Sequence, residues 1–135
     1  MKRLSSRQRA LLAALVAFLI GSFLLTPLSG LETRPTSKLT ALGAASLAVF
    51  FVGVVLAAVA VVFLLQGRPS APMVAVIGAV LFLPGLLADR TGNLSQVEAP
   101  TAIVWVEWVQ LCITAIAVVL SLLVWRDREG GAHSG

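Results

Sequence analysis

The stretch ALGAASLAVFFVGVVLAAVAVVFLLQ, residues 41–66, contains 26 residues and no charged side chain. At 1.5 Å per residue, a helix of this length measures about 39 Å, which exceeds the hydrocarbon thickness of a bilayer at about 30 Å. The stretch therefore predicts a transmembrane helix that tilts in the bilayer or projects into its interface.

The rest of the chain has the same apolar character. Of its 135 residues, 59% are hydrophobic and 12% are charged, whereas soluble domains average about 45–50% apolar and about 25% charged residues. A soluble domain of this size keeps much of its surface exposed and could not hide so much apolar area. The lipid bilayer is therefore the expected partner of most of the chain.

Three further apolar runs flank the central one, at residues 10–28, 72–88 and 101–125. We expect the first to be retained as a helix, because it is longer than the apolar core of a secretory signal peptide, which is the alternative. In the third run, Pro84 and Gly85 predict a kink or an early stop, and a re-entrant segment is an alternative there. The sequence thus predicts an all-α integral membrane bundle of four antiparallel helices with short loops.

The charged residues predict how this bundle is oriented. Lys and Arg number seven in the basic segment 1–9, the link 67–71 and the tail 126–135, against three in the connections 29–40 and 89–99. The positive-inside rule then places both termini in the cytoplasm of a multi-pass protein of the cell membrane. The polar, glycine-rich tail is predicted to be disordered.

All three tryptophans of the chain lie in the fourth run, at Trp105, Trp108 and Trp125. Trp105 and Trp125 are 20 residues apart, which is about 30 Å along a helix. This spacing matches two aromatic belts at opposite faces of a bilayer. We interpret the three tryptophans as interface anchors.

The fourth run also holds the one charged residue within a span, Glu107. Glu107, Gln110, Thr114 and Ser121 follow the spacing i, i+3, i+7 and i+14, which places them on one helix face. Lipid offers polar groups no partner, so this face is predicted to point into the bundle or a subunit interface.

Two interpretations of Glu107 remain open at this point. It lies only two residues beyond Trp105, so it could sit hydrated among the headgroups near the start of its helix, where a carboxylate is favourable. Alternatively, it is a buried carboxylate with a function, as charged residues inside a membrane commonly are. Arg90 is then the candidate ion-pair partner, and Arg34 and Lys38 lie on the same side of the membrane.

Small residues recur at four-residue spacing in the first three runs, which allows helix backbones to approach closely in lipid. The rows are Ala13, Ala17 and Gly21; Gly53 and Ala57; and Ala71, Ala75 and Ala79. Packing within one bundle accounts for most of these rows. Together with the polar face of the fourth run, they also predict a homo-oligomer or an association with other membrane subunits.

Several kinds of function are disfavoured by the residues present. The single histidine is His133 in the tail, Cys112 is alone, and neither a metal-ligand spacing nor a nucleotide-binding motif occurs. We therefore expect no cofactor, no metal and no enzymatic activity, and no nucleic-acid partner because no basic face carries interleaved aromatics. The leading hypothesis is a non-enzymatic accessory or scaffolding subunit of a larger membrane assembly. The alternatives are a small oligomeric transporter or channel that uses Glu107 and, third, a holin-like pore former.

Overall fold

A computed structural model describes residues 4–26, 29–30 and 36–134 of the chain. In these residues it contains four α-helices, which are α1 (Ser6–Leu24), α2 (Ala41–Leu65), α3 (Ala71–Arg90) and α4 (Thr101–Ser134), and a short 3-10 helix at Thr36–Lys38. No strand occurs in the described residues, and all four helices are long and apolar enough to cross a membrane. The prediction of an all-α four-helix membrane bundle is confirmed.

Polar side chains set the beginning and the end of α1. Ser5 accepts a hydrogen bond from the backbone N–H of Gln8, whose side chain accepts one from the backbone N–H of Ser5. This reciprocal cap starts the helix before the apolar run predicted at 10–28. At the other end, the hydroxyl of Thr26 donates to the carbonyl oxygen of Phe23, which lies in the last turn. The helix therefore ends at Leu24, four residues earlier than predicted.

Pro84 lies inside α3 and does not stop it, because the helix continues to Arg90. The expected early stop is therefore wrong. Pro84 is exposed, as is Val80 one turn earlier, so the backbone bond that proline removes lies on the outer side of the helix. The buried side, with Phe82 and Gly85, packs without interruption.

The C-terminal end of α4 differs from the prediction of a disordered tail at residues 126–135, since the helix continues to Ser134. Residues 126–129, Arg-Asp-Arg-Glu, contain no proline or glycine and extend the preceding apolar helix without a break. In addition, Nη1 of Arg7 lies 2.8 Å from Oδ1 of Asp127, which ties the start of α1 to this part of α4.

Close packing of α2 on α3 depends on two glycines that face each other. A Cβ atom added to Gly78 would lie 2.9 Å from the carbonyl oxygen of Gly53 and 2.9 Å from the backbone nitrogen of Ala57. The backbones approach within a distance that only glycine allows. The small-residue rows predicted in these two spans therefore meet inside the chain, and Ala57, Ala75 and Ala79 are all buried.

Three aromatic rings from three helices form the centre of the bundle. The ring of Phe82 in α3 lies 4.7 Å from that of Phe18 in α1 and 4.4 Å from that of Phe50 in α2, measured between centroids. Such packing adds about 0.5–1.5 kcal/mol per pair beyond the burial of apolar area. The outward surfaces of the helices are apolar as well, as expected for a multi-pass protein in contact with lipid.

Candidate functional site

The polar face of α4 points into the bundle along its whole length. Glu107 is 5% exposed, and Gln110, Thr114 and Ser121 are at most 1% exposed. Trp105 and Trp108 are more than half exposed on the outer side of the same helix, where interface anchors would meet lipid or headgroups. Trp125 is only partly buried.

Glu107 forms an ion pair with Arg90, the last residue of α3. Nη2 of Arg90 lies 2.9 Å from Oε1 of Glu107, with side-chain exposures of 23% and 5%. This burial does not fit the alternative of a hydrated, interfacial Glu107. Of the two other cations on the same side of the membrane, Lys38 is exposed and Arg34 lies outside the described residues.

Gln110 joins α4 to α1. Its side-chain nitrogen donates to the carbonyl oxygen of Phe18 at 2.8 Å and to the hydroxyl oxygen of Ser22 at 3.3 Å. The amide fits there because Gly21 has no side chain, and a Cβ atom at that position would overlap Oε1 of Gln110. Oε1 itself has no hydrogen-bond partner among the described residues.

Thr114 and Ser121 do not reach another helix through their hydroxyl groups. Thr114 donates to the carbonyl oxygen of Gln110 at 2.7 Å, and Ser121 donates to that of Ala117 at 2.6 Å. Both hydroxyl groups are therefore satisfied within α4. The predicted polar face thus has two parts. Glu107 and Gln110 contact α3 and α1, whereas the hydroxyl groups of Thr114 and Ser121 donate to carbonyl oxygens of α4 itself.

The α1–α2 and α3–α4 connections meet at one end of the bundle, which we call the connection end. The backbone N–H of Thr40 donates to the carbonyl oxygen of Leu94, and that of Gln96 donates to the carbonyl oxygen of Lys38. A Cβ atom at Gly43 would overlap the same Leu94 carbonyl. Residues 38–40 and 94–96 therefore form one hydrogen-bonded layer, which the sequence did not predict.

A cleft of about 340 Å³ opens at the connection end beside this layer. Its polar lining includes Asp89, Arg90, Ser95, Gln96 and Glu98. Arg90 thus contacts both the cleft and Glu107, which places the cleft next to the buried ion pair. Arg90 was identified from the sequence, but the other lining residues were missed. The sequence of a short polar loop does not show which of its side chains line a common cleft.

The site offers hydrogen bonding and charge rather than a metal cage. Among the described residues, no group of three or more His, Cys, Asp or Glu side chains lies close enough together to hold a metal ion. Cys112 is exposed on the outer surface of α4. The arrangement can fix three helices relative to one another and can present polar groups to a small ligand in the cleft.

Comparison with known proteins adds a family to this geometry. A family model described as OpgC protein matches residues 6–91, which is more than half of the chain. The chain belongs to the OpgC family. No curated protein and no solved structure matches it.

The OpgC match covers α1, α2 and α3 and ends one residue beyond Arg90. The polar residues of α4 lie outside the matched range. The Arg90–Glu107 ion pair, the Gln110 contacts and the Arg7–Asp127 pair therefore join the helices matched to OpgC to the helix that follows them.

Proposed function

We propose that the chain is an accessory membrane subunit of an assembly that transfers acyl groups to a glucan. The OpgC family is associated with acyltransferase activity of the kind that succinylates glucans. Because the family is associated with this activity, the expectation that the chain is not an enzyme stays a prediction. The proposal assigns the transfer reaction to the assembly and a structural role to this chain.

The observation that carries this assignment is the use of the buried polar groups of α4. Thr114 is satisfied within α4, whereas Gln110 binds the backbone of α1 and Glu107 binds Arg90 at the end of α3. In lipid, such contacts fix helices relative to each other. These groups hold the bundle together, and they do not form a nucleophile beside a base, which acyl transfer by covalent catalysis requires.

The surface of the bundle supports a role within a larger assembly. Long apolar side chains are exposed on all four helices, so every side of the bundle can contact lipid or another transmembrane subunit. By the charge distribution, both termini face the cytoplasm and the connection end faces the opposite side of the cell membrane. Neighbouring subunits, or further copies of this chain, are the partners that we propose.

A transporter or channel is the second candidate function, and a particular observation favours it. Glu107 is buried at 5% exposure, and its partner Arg90 lines a cleft at the connection end. A carboxylate in this position could couple a proton or cation to the passage of a substrate. The packing of Gln110, Thr114 and Ser121 below it, all at most 1% exposed, argues against an open path.

Purification of the tagged chain in a mild detergent tests the proposal, combined with deletion of its gene. We expect a second membrane protein with acyltransferase activity to co-purify, and the acyl content of the cell's glucans to fall on deletion. A chain that purifies without a partner, together with unchanged glucan acylation, would reject the accessory role. Proton-coupled uptake by proteoliposomes of the chain alone would favour the transporter, and leakage of trapped dye would favour the pore former.

A further inference from the structure

The end of the bundle opposite the connection end carries an excess of positive charge. Its three segments, at 1–9, 67–71 and 126–135, hold seven Lys or Arg against two acidic residues, which is a net charge of +5. Among the described residues, the arginines with exposed side chains at this end come from α1, from the α2–α3 link and from α4. They are Arg7, Arg9, Arg68 and Arg126, and we call them the arginine surface.

Most of this charge is not neutralised within the chain. Asp127 pairs with Arg7 at 2.8 Å, whereas no carboxylate of the described side chains pairs with Arg9, Arg68 or Arg126. The guanidinium carbon of Arg68 lies 4.8 Å from the centre of the Phe63 ring. A contact with the face of a ring keeps the charge, and the N–H groups in the plane of the guanidinium can still donate to an anion.

The connection end does not share this excess. Its two connecting segments carry three basic and three acidic residues, and Arg90 is already paired with Glu107. The charge of the bundle is therefore asymmetric along its axis, with the unpaired cations at one end. Since all four helices are long and apolar enough to cross a membrane, the arginine surface lies at the level of the lipid phosphates of one leaflet.

We propose that the arginine surface binds the phosphate headgroups of anionic phospholipids in preference to those of zwitterionic phospholipids. Basic side chains next to the ends of membrane helices attract anionic lipids, and the attraction grows with the number of charges that act together. An acidic protein segment is the other partner that the charge would suit. Lipid is favoured over it, because the arginines extend directly from the membrane-spanning helices and headgroups surround them in any bilayer.

Quenching of single tryptophans by brominated lipids tests this inference, because the chain has a tryptophan near each end. Trp125 precedes Arg126, and Trp105 lies near the start of α4 at the connection end. One variant keeps Trp125 (Trp105→Phe, Trp108→Phe), and a second keeps Trp105 (Trp108→Phe, Trp125→Phe). Each is reconstituted into vesicles of phosphatidylcholine and phosphatidylglycerol in which one of the two lipids carries brominated acyl chains.

The ratio of quenching by the two lipids gives their relative binding at each tryptophan. We expect phosphatidylglycerol to be preferred about fivefold or more at Trp125 and to bind like phosphatidylcholine at Trp105. Both leaflets have the same composition, so the result does not depend on which way the chain inserts. The inference is overturned if the two lipids quench Trp125 equally, or if Trp105 shows the same preference.

Charge variants of the chain that keeps Trp125 test the residues. Arg9→Gln, Arg68→Gln and Arg126→Gln combined should abolish the preference, whereas Lys38→Gln, which removes an exposed cation at the connection end, should leave it unchanged. A salt concentration of about 1 M, where screening acts within about 3 Å, should weaken the preference in the unsubstituted surface, which tests the inference without any change of fold. A preference that survives both high salt and the triple substitution would reject the arginine surface as its source.

Discussion

The substitution Glu107→Gln removes one charge of the buried ion pair and preserves the shape of the side chain. The native carboxylate is 5% exposed and lies 2.9 Å from Nη2 of Arg90. After the substitution, the guanidinium faces a neutral amide. The Nε atom of Arg90 has no hydrogen-bond partner among the described residues. No hydrogen bond of that atom therefore offsets the loss of the carboxylate.

The size of the effect follows from the burial of the two partners. Removal of one partner from a buried ion pair costs about 3–5 kcal/mol, because the remaining charge is left without compensation. Arg90 retains 23% exposure, and the glutamine oxygen can still accept a hydrogen bond. We therefore expect Glu107→Gln to lower the free energy of unfolding by about 2–3 kcal/mol.

The assay is reversible unfolding of the purified chain in mixed micelles, followed by far-ultraviolet circular dichroism as the fraction of denaturing detergent rises. Asp127→Asn is the matched control, because Asp127 pairs with Arg7 at 2.8 Å while both side chains are 50% exposed. Exposed pairs contribute at most about 1 kcal/mol. A Glu107→Gln effect no larger than that of Asp127→Asn would show that burial does not strengthen the Arg90 pair.

Three further predictions concern packing and orientation. Gly78→Ala should destabilise the chain by at least about 1 kcal/mol in the same unfolding assay, because backbone atoms lie 2.9 Å from the new Cβ. Gly85→Ala is the control, since its new Cβ would have no neighbour closer than 3.7 Å. It should be neutral or stabilising by up to about 1 kcal/mol. Gln110→Leu should cost about 1 kcal/mol, the usual worth of hydrogen bonds between membrane helices, and an unchanged unfolding curve would contradict its role in joining α1 to α4. In a cysteine-free background, Ser37→Cys, at an exposed position of the connection end, should react with an impermeant thiol reagent in intact cells, and Ser70→Cys only after lysis. The opposite pattern would reverse the proposed orientation.

The positions of the spans could be predicted from sequence because hydropathy acts along each helix separately. The 26 charge-free residues at 41–66 coincide with α2 to within a residue at its C-terminal end. The inward face of α4 was also predictable, since the periodicity of Glu107 and Gln110 requires only that both residues lie on one helix. Local rules were therefore sufficient wherever the determinant lay within a single helix.

Features that depend on two helices could not be predicted in this way. The contact of Gln110 with the Phe18 carbonyl requires the gap left by Gly21, and only the packing of α1 on α4 shows that these residues meet. The pair Gly21-Ser22, a polar interruption of an apolar run, was the available signal. The cleft beside Gln96 likewise depends on how the end of α3, the connection that follows it and the start of α4 fold together.

Transfer of a labelled acyl group to a glucan is the most direct test of the accessory role. Membranes from the deletion strain, the purified chain alone, and the two combined should be compared under identical donor and acceptor concentrations. We predict little transfer by the deletion membranes, none by the purified chain alone, and restored transfer by the combination. Transfer catalysed by the purified chain without any other membrane protein would contradict the accessory role and make this chain the enzyme itself.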